Sequence, residues 1–271
     1  MKYGGSTFSY MWRTTALEAM RDLAATGVND FDIIAVPGHL WPGDLAAGAR
    51  KALRAALLAS DIRVESLNLP SVDQNLAACV PEARAFAVDV YTRTLELAAD
   101  IGARNVVVVP GRVGALLAPR LEDSLGWLEQ GFEQLLRVAE RLDQRLYVEM
   151  IPLAPIPTVD RLVPFIDRFG GHPRLLVAYD VASAEFVGED QIAALKQIGA
   201  RLGQTHLSDS TRKVWRHDKV GLGSVDFAAI QRVLRDSGFD GVNILEIIST
   251  SPREDTAASL AALQGATVSA R

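Results

Sequence analysis

The sequence predicts a closed α/β barrel of the (β/α)8 type, and three observations carry that expectation. Eight short β-branched runs alternate with eight longer amphipathic segments along 271 residues, close to the usual length of one such barrel, about 250 residues. Several runs, such as Val106-Val107-Val108-Val109 and Leu175-Leu176-Val177-Ala178, are apolar at consecutive positions, as parallel strands covered on both faces require. Gly4-Gly5 lies inside the first run and no GxGxxG follows it, which disfavours an open doubly wound sheet with its phosphate loop. No linker or low-complexity stretch divides residues 1–271, so the chain reads as a single domain.

In chain order, strands are expected at 2–8, 32–36, 63–68, 105–109, 146–151, 175–180, 203–207 and 243–247, each ending in polar or turn residues. Helices are expected at 15–26, 46–60, 82–101, 121–142, 159–169, 190–198, 226–237 and 253–264. The clearest is the fourth. Leu121, Leu125, Leu128, Phe132, Leu135, Ala139 and Leu142 recur at helical spacing and make one stripe able to cover a sheet. Gly27, Gly102, Gly170 and Gly238 stand where helices should stop.

Hydrophobic residues make up 49% of the chain and charged residues 23%, enough apolar material for a large core. The net charge of −5 argues against nucleic acid as a partner. The one cysteine, Cys79, cannot form an internal disulfide; its small apolar neighbours predict a packed, inert thiol. Such sparing use of cysteine suits a reducing compartment. No apolar run approaches the roughly 20 residues that span a bilayer. The first residues lack the charged and apolar regions of a signal peptide. The expectation is a cytoplasmic protein without a membrane partner.

In a barrel of this kind chemistry sits where strands end. The fifth strand ends in Glu149, the sixth in Asp180, the seventh in His206 and the eighth in Glu246. A charge at the end of an apolar strand is costly to desolvate unless paired or metal-bound. Any one of these carboxylates could serve as an ion-pair partner. Four metal-capable groups on four successive strands point instead to one divalent cation, and the mixed O/N donor set suits Mn²⁺, Co²⁺, Mg²⁺ or Zn²⁺.

These residues carry a resemblance. The order Glu149, Asp180, His206, Glu246, the His206-Leu207-Ser208-Asp209 segment and the loop Gly221-Leu222-Gly223-Ser224-Val225-Asp226-Phe227 resemble the xylose-isomerase-like TIM-barrel superfamily. That superfamily holds sugar isomerases and epimerases, with endonuclease-IV-type AP endonucleases as distant members. The resemblance covers nearly the whole chain and is sharpest after residue 145. It implies a metal-dependent isomerase or epimerase of a small sugar or sugar acid, working through an enediolate. Mn²⁺ is the favoured ion, Glu149 and Glu246 the paired acid and base, and Asp180 and His206 further ligands. Members of the superfamily are often dimers or tetramers, so the resemblance leaves room for a homo-oligomer, and the sequence itself does not report the oligomeric state. A lyase or dehydratase would use the same proton removal. A non-catalytic sugar-binding subunit or an AP-endonuclease-like hydrolase are further alternatives.

Two departures matter. Many members have a histidine three residues after the strand-six aspartate; here that position is Ser183. The AP endonucleases need histidines on strands three and four; here those stretches read Leu69-Pro70-Ser71 and Val108-Val109-Pro110-Gly111, which argues against a three-metal nuclease site. Candidate substrate contacts are Ser183, Asn68 at the end of strand three, and His39 on the loop after strand two. Arg212 and His217 join them from a loop that also holds Lys213, Arg216 and Lys219. That loop reads either as solvated or as the holder of an anionic substrate group, a carboxylate or phosphate. His172 precedes strand six, at the opposite end of the barrel, and is expected to be structural; Trp12 and Trp127 are expected to pack.

Overall fold

The computed structural model describes residues 1–114 and 116–268. In chain order its strands are β1 (Lys2–Ser6), β2 (Asp30–Ile34), β3 (Arg63–Asn68), β4 (Asn105–Val108), β5 (Arg145–Glu149), β6 (Leu175–Asp180), β7 (Leu202–Leu207), β8 (Asp209–Thr211), β9 (Val214–Asp218) and β10 (Val242–Leu245). The helices are α1 (Ala16–Ala24), α2 (Ala47–Ala59), α3 (Pro81–Ile101), α4 (Leu121–Arg141), α5 (Val159–Asp167), α6 (Val181–Val187), α7 (Gln191–Ile198), α8 (Phe227–Asp236) and α9 (Pro252–Val268). Strands β1 to β7 and β10 close into a parallel barrel in the order β1-β10-β7-β6-β5-β4-β3-β2. Closure falls between β1 and β10, with Gly4 beside Ile244 and Gly5 beside Leu245. The backbone there leaves no room for a side chain: a Cβ on Gly4 would meet the Asp30 carbonyl oxygen at 2.5 Å.

The helical stripe of α4 is buried as its spacing demands, with Leu128, Phe132, Leu135 and Ala139 all fully enclosed. Phe132 meets Phe165 of α5 edge-on at 5.4 Å between ring centres. At the helix end Gly102 takes φ 92°, the left-handed conformation that stops α3. Inside the barrel Val107, Tyr147 and Ala178, with Leu176 beside them, form an apolar plug. Side chains alternate along a strand. If Tyr147 and Ala178 point inward, so do Glu149 and Asp180, one level nearer the mouth. The plug therefore closes the barrel beneath the site.

Two features lie outside the expected eight-plus-eight pattern. Helix α6 is short and begins directly at Asp180, whose side chain caps it by accepting from the backbone N–H groups of Ala182 and Ser183. Strands β8 and β9 form an antiparallel hairpin where the polar sequence reads as a loop. The first strand ends at Ser6 rather than residue 8 because Phe8–Tyr10 turn into a 3-10 helix.

Two packing expectations are corrected. Cys79 is exposed, because the loop before α3 anchors through Leu76 and Ala77 and turns the thiol outward. Trp12 is 67% exposed rather than packed. Trp127 is half-buried with the Arg84 guanidinium 4.9 Å above its ring. His172 bonds Glu140 through Nε2 at 3.0 Å, a contact between α4 and the loop before β6. Among the described residues no helix is long and apolar enough to cross a membrane.

Candidate metal and substrate site

The ends of β5, β6, β7 and β10 bring four groups to one place, each 5% exposed or less: Glu149, Asp180, His206 and Glu246. His206 is central. Its Nδ1 lies 2.6 Å from Glu149 Oε1 and 3.6 Å from Glu246 Oε1. A second imidazole closes the cluster from above. His217, on β9, places Nδ1 3.1 Å from Glu246 Oε2 and Nε2 3.9 Å from Asp180 Oδ2. Ser183 Oγ donates to Asp180 Oδ2. The helix cap and this hydroxyl together fix the Asp180 carboxylate.

Electrostatics follow from burial without solvent. Burial pushes Glu149 up to about 7, against the pull of His206, and the nearby Glu246 and Asp180 add to the rise. Burial likewise raises Asp180. Burial opposes a charge on His217, yet Asp180 and Glu246 outweigh it and hold the ring up at about 9. The same contest ends well above the usual histidine range for His206, through Glu149 and Glu246. Glu246 is held below the usual carboxylate range: His206 and His217 overcome its burial. The two histidines thus offset part of the negative charge of the buried carboxylates, and the raised Glu149 and Asp180 lessen the rest.

Those donors also fit a divalent cation, which would take over the balancing role of the protons. Two sets of three bring ligand atoms within 4.8 Å of one another: Asp32, His206 and Glu246 deeper in the barrel, and Asp180, His217 and Glu246 at the mouth. Glu246 belongs to both, and His206 bonds Glu149 beside them.

Asp209 builds the hairpin that delivers His217. It is 2% exposed. Its Oδ1 accepts from the backbone N–H groups of Ser210 and Val225 at 3.0 and 3.1 Å, and its Oδ2 from that of Gly221 at 2.8 Å. This aspartate therefore ties the start of the hairpin to the glycine-rich loop that follows it. Gly223 is obligatory in that tie: a Cβ there would meet the Ser210 carbonyl oxygen at 2.2 Å and Asp209 Oδ1 at 2.4 Å. On β9 the alternating face carries Trp215 and His217 inward, with ring centres 6.0 Å apart, and Phe186 stacks behind Trp215.

Above the carboxylates opens a cavity of about 520 Å³. Phe8, Val109, Ile151, Trp215 and Ile248 form apolar wall; Asn68, Arg112, Arg216 and Asp218 supply polar edge. Of the residues expected to touch substrate, Asn68 and His217 line it. Ser183 is buried against Asp180 and does not reach it. His39 lies elsewhere, its ring nitrogens 2.5 Å from the Thr14 carbonyl oxygen and 2.9 Å from Thr7 Oγ1. Arg212 points to solvent, its side chain 69% exposed and 4.0 Å from Glu185. Lys219 is paired with Asp255 at 2.9 Å.

Sequence reasoning passed over Asp32, Trp215 and Arg112. The signal for Asp32 was the alternation Asp30-Phe31-Asp32. Because β2 begins at Asp30, Asp32 pairs with Ser6 and Ser66 in the middle of the sheet and faces the barrel axis.

A closed parallel barrel with an inward cluster of carboxylate and imidazole groups at its C-terminal mouth defines a class of metal-capable barrel proteins. The chain belongs to the xylose isomerase-like TIM barrel family, whose model matches residues 20–265. It is 22% identical over 265 residues to fructoselysine 3-epimerase of Shigella flexneri, covering 92% of this chain and 91% of that protein. It is 23% identical over 189 residues to a probable endonuclease 4 of Acholeplasma laidlawii, a match that spans 64% of this chain and 63% of that protein. Among solved structures, a D-tagatose 3-epimerase-like protein superposes with a TM-score of 0.86 at 19% identity, covering 98% of this chain and 97% of the other. A 3-keto-D-glucoside 4-epimerase from E. coli superposes with a TM-score of 0.81 at 22% identity, covering 98% and 99%.

Proposed function

We propose that this protein is a divalent-metal-dependent epimerase or isomerase of a small sugar or sugar acid. The observation that carries the reading is the pair Glu149 and Glu246, both buried beside His206 Nδ1 at the floor of one apolar-walled cavity. The fructoselysine and tagatose epimerase likenesses support it.

Glu149, Asp180, His206 and Glu246 would hold the cation, with Mn²⁺ as the favoured ion. When bound, the cation supplies Lewis-acid polarisation of the substrate carbonyl, which makes the adjacent C–H acidic. The protein does the rest. One glutamate removes that proton and the other returns one. Glu149, raised toward neutrality by burial, suits a group that must both hold and release a proton. Glu246, kept ionised by its two histidines, suits the base. His217 bridges Glu246 and Asp180 and can donate to a substrate oxygen. Trp215 and Phe8 offer faces to the sugar carbons, and the walls they build exclude water. Arg112 and Arg216 stand at the rim, where a carboxylate or phosphate on the substrate would meet them.

The test is isotope exchange. Protein loaded with Mn²⁺ is incubated with a panel of ketoses and keto acids in D2O. The reading expects deuterium at the carbon beside the carbonyl and an epimeric or isomeric product, both lost in Glu149→Gln and Glu246→Gln. Deuterium entry followed by loss of water would move the protein to the lyases. No exchange with any carbonyl substrate would sink the proposal.

A further inference from the structure

Beneath the cation pocket a continuous run of buried polar side chains crosses the barrel from β7 to β2. Gln204, one level below His206, has its amide nitrogen 2.7 Å from His206 Nε2 and its amide oxygen 3.1 Å from Ser66 Oγ. Ser66 Oγ donates to Asp32 Oδ1 at 2.5 Å, and Asn68 Nδ2 donates to Asp32 Oδ2 at 3.2 Å. His206, Gln204, Ser66 and Asp32 are all 0% exposed. With no solvent at hand, their hydrogen bonds must be satisfied within the run.

Counting hydrogens gives the run a direction. Ser66 owns one hydroxyl hydrogen, and the nearby Asp32 carboxylate takes it. Ser66 Oγ then has only lone pairs to offer Gln204. The Gln204 amide meets them best by presenting its NH2 to Ser66 and its oxygen to His206. That half-turn of the amide exchanges two groups of almost the same shape and moves nothing else. An amide oxygen can only accept, so His206 Nε2 must carry a hydrogen. In the neutral ring Nδ1 is then bare, 2.6 Å from Glu149 Oε1 and 3.6 Å from Glu246 Oε1. A lone pair aimed between those carboxylates is what a cation needs.

The opposite amide orientation has the reverse effect. With nitrogen toward Nε2, the ring must carry its hydrogen on Nδ1, where it bonds Glu149 and bars a cation. The single Ser66 hydrogen is then shared between Asp32 and the amide oxygen. The two orientations of Gln204 thus correspond to a closed and a cation-ready His206.

We propose that Gln204, Ser66 and Asp32 form a relay that fixes His206 as its Nε2–H tautomer and so presents Nδ1 to the metal. The inference rests on the metal-dependent reading above. Gln204 and Ser66 are positioning residues: neither lines the substrate cavity, and they act through the histidine, while Asp32, which also stands within reach of His206 and Glu246, anchors the far end of the run.

The experiment compares wild type, Gln204→Met and Ser66→Ala, each freed of metal and titrated with Mn²⁺ by calorimetry. Thermal melts are run without metal, and ¹⁵N spectra of labelled histidine are recorded with Zn²⁺. The relay expects Gln204→Met to weaken cation binding about 10- to 100-fold, the usual cost of losing an outer partner of a metal-bound histidine. Ser66→Ala should weaken it less, and the loaded wild type should show its proton on Nε2. A merely structural role would lower the melting temperature of the metal-free variants and leave affinity untouched. Should Gln204→Met fail to fold, Ser66→Ala and the wild-type spectra still decide. Wild-type affinity in folded variants, or a loaded His206 with its proton on Nδ1, overturns the relay alone. Absence of cation binding by wild type overturns the metal-dependent reading together with it.

Discussion

His217 Nδ1 lies 3.1 Å from Glu246 Oε2. The hairpin above the barrel and the chain just past β10 therefore meet at one carboxylate, which His206 faces from below. Glu246 is held by two imidazoles from opposite sides, and this makes it the pivot of the site.

Binding of a divalent cation should stabilise the fold. With Mn²⁺ at about 100 times its dissociation constant, the gain is about 2.7 kcal/mol, visible as a rise in Tm that a chelator reverses. Glu246→Gln and His206→Ala should each abolish that rise. A Tm indifferent to every divalent ion in wild type would contradict the cation site.

The metal-free protein should lose stability as pH rises. The folded state lifts His217 from 6.5 to about 9. Its contribution is therefore fully present below pH 6.5 and disappears as pH climbs through 9. Glu149, lifted from 4.5 to about 7, acts in the same direction over the lower window: its favoured protonated form is lost as pH passes 7. Chelated protein should melt progressively lower from pH 5 to 9. His217→Asn should flatten the upper part of that curve. Cation affinity should rise with pH over the same range, since metal and protons compete. A Tm that increases from pH 6 to 9 without metal would contradict this sign.

Asp209→Ala should release the hairpin. Three backbone N–H groups lose their acceptor, at a cost of about 3 kcal/mol after the loop relaxes. Urea unfolding measures the loss, and limited proteolysis between residues 209 and 225 should become faster. Gly223→Ala should resemble it, because its Cβ has no space. Unchanged protease resistance in both variants would show that the tie is dispensable.

Trp215 and Arg212 should separate cleanly in kinetics. Trp215→Ala opens the cavity wall and should raise KM about 10-fold or more, the loss expected for one aromatic face worth 1–3 kcal/mol. Arg212→Ala, whose side chain faces solvent, should leave KM within about twofold, as surface substitutions do. An equal effect of the two would place the substrate over the hairpin tip instead.

The barrel was legible because each strand is short, apolar and bounded by polar residues. Even the ends of the runs at 63–68 and 175–180 coincide with β3 and β6. Glu149, Asp180, His206 and Glu246 could be singled out because a charge closing an apolar run is conspicuous. Asp32 was not, because placing the strand start at 32 set it at the wrong end of the barrel. Only the pairing with Ser66 reveals its level. The direction of each cation in 212–219 was equally hidden. It depends on the register of β8 with β9, where Thr211 pairs with Val214 and Asp209 with Asp218, and no local periodicity reports such a short hairpin. His39 looked available on its loop, but its partners Thr7 and Thr14 come from the preceding βα unit.

Because one carboxylate, Asp209, holds both the departure of the hairpin and the return at Gly221 and Val225, the excursion between them behaves as a cassette. Its tip can be lengthened, shortened or exchanged without disturbing the strand ends that hold the inward carboxylates and His206. The reactive floor and the selective roof of this barrel can therefore diverge at different rates. Grafting the 210–220 segment between relatives, with His217 kept because it bonds Glu246, is the direct way to redirect substrate choice while the chemistry beneath stays in place.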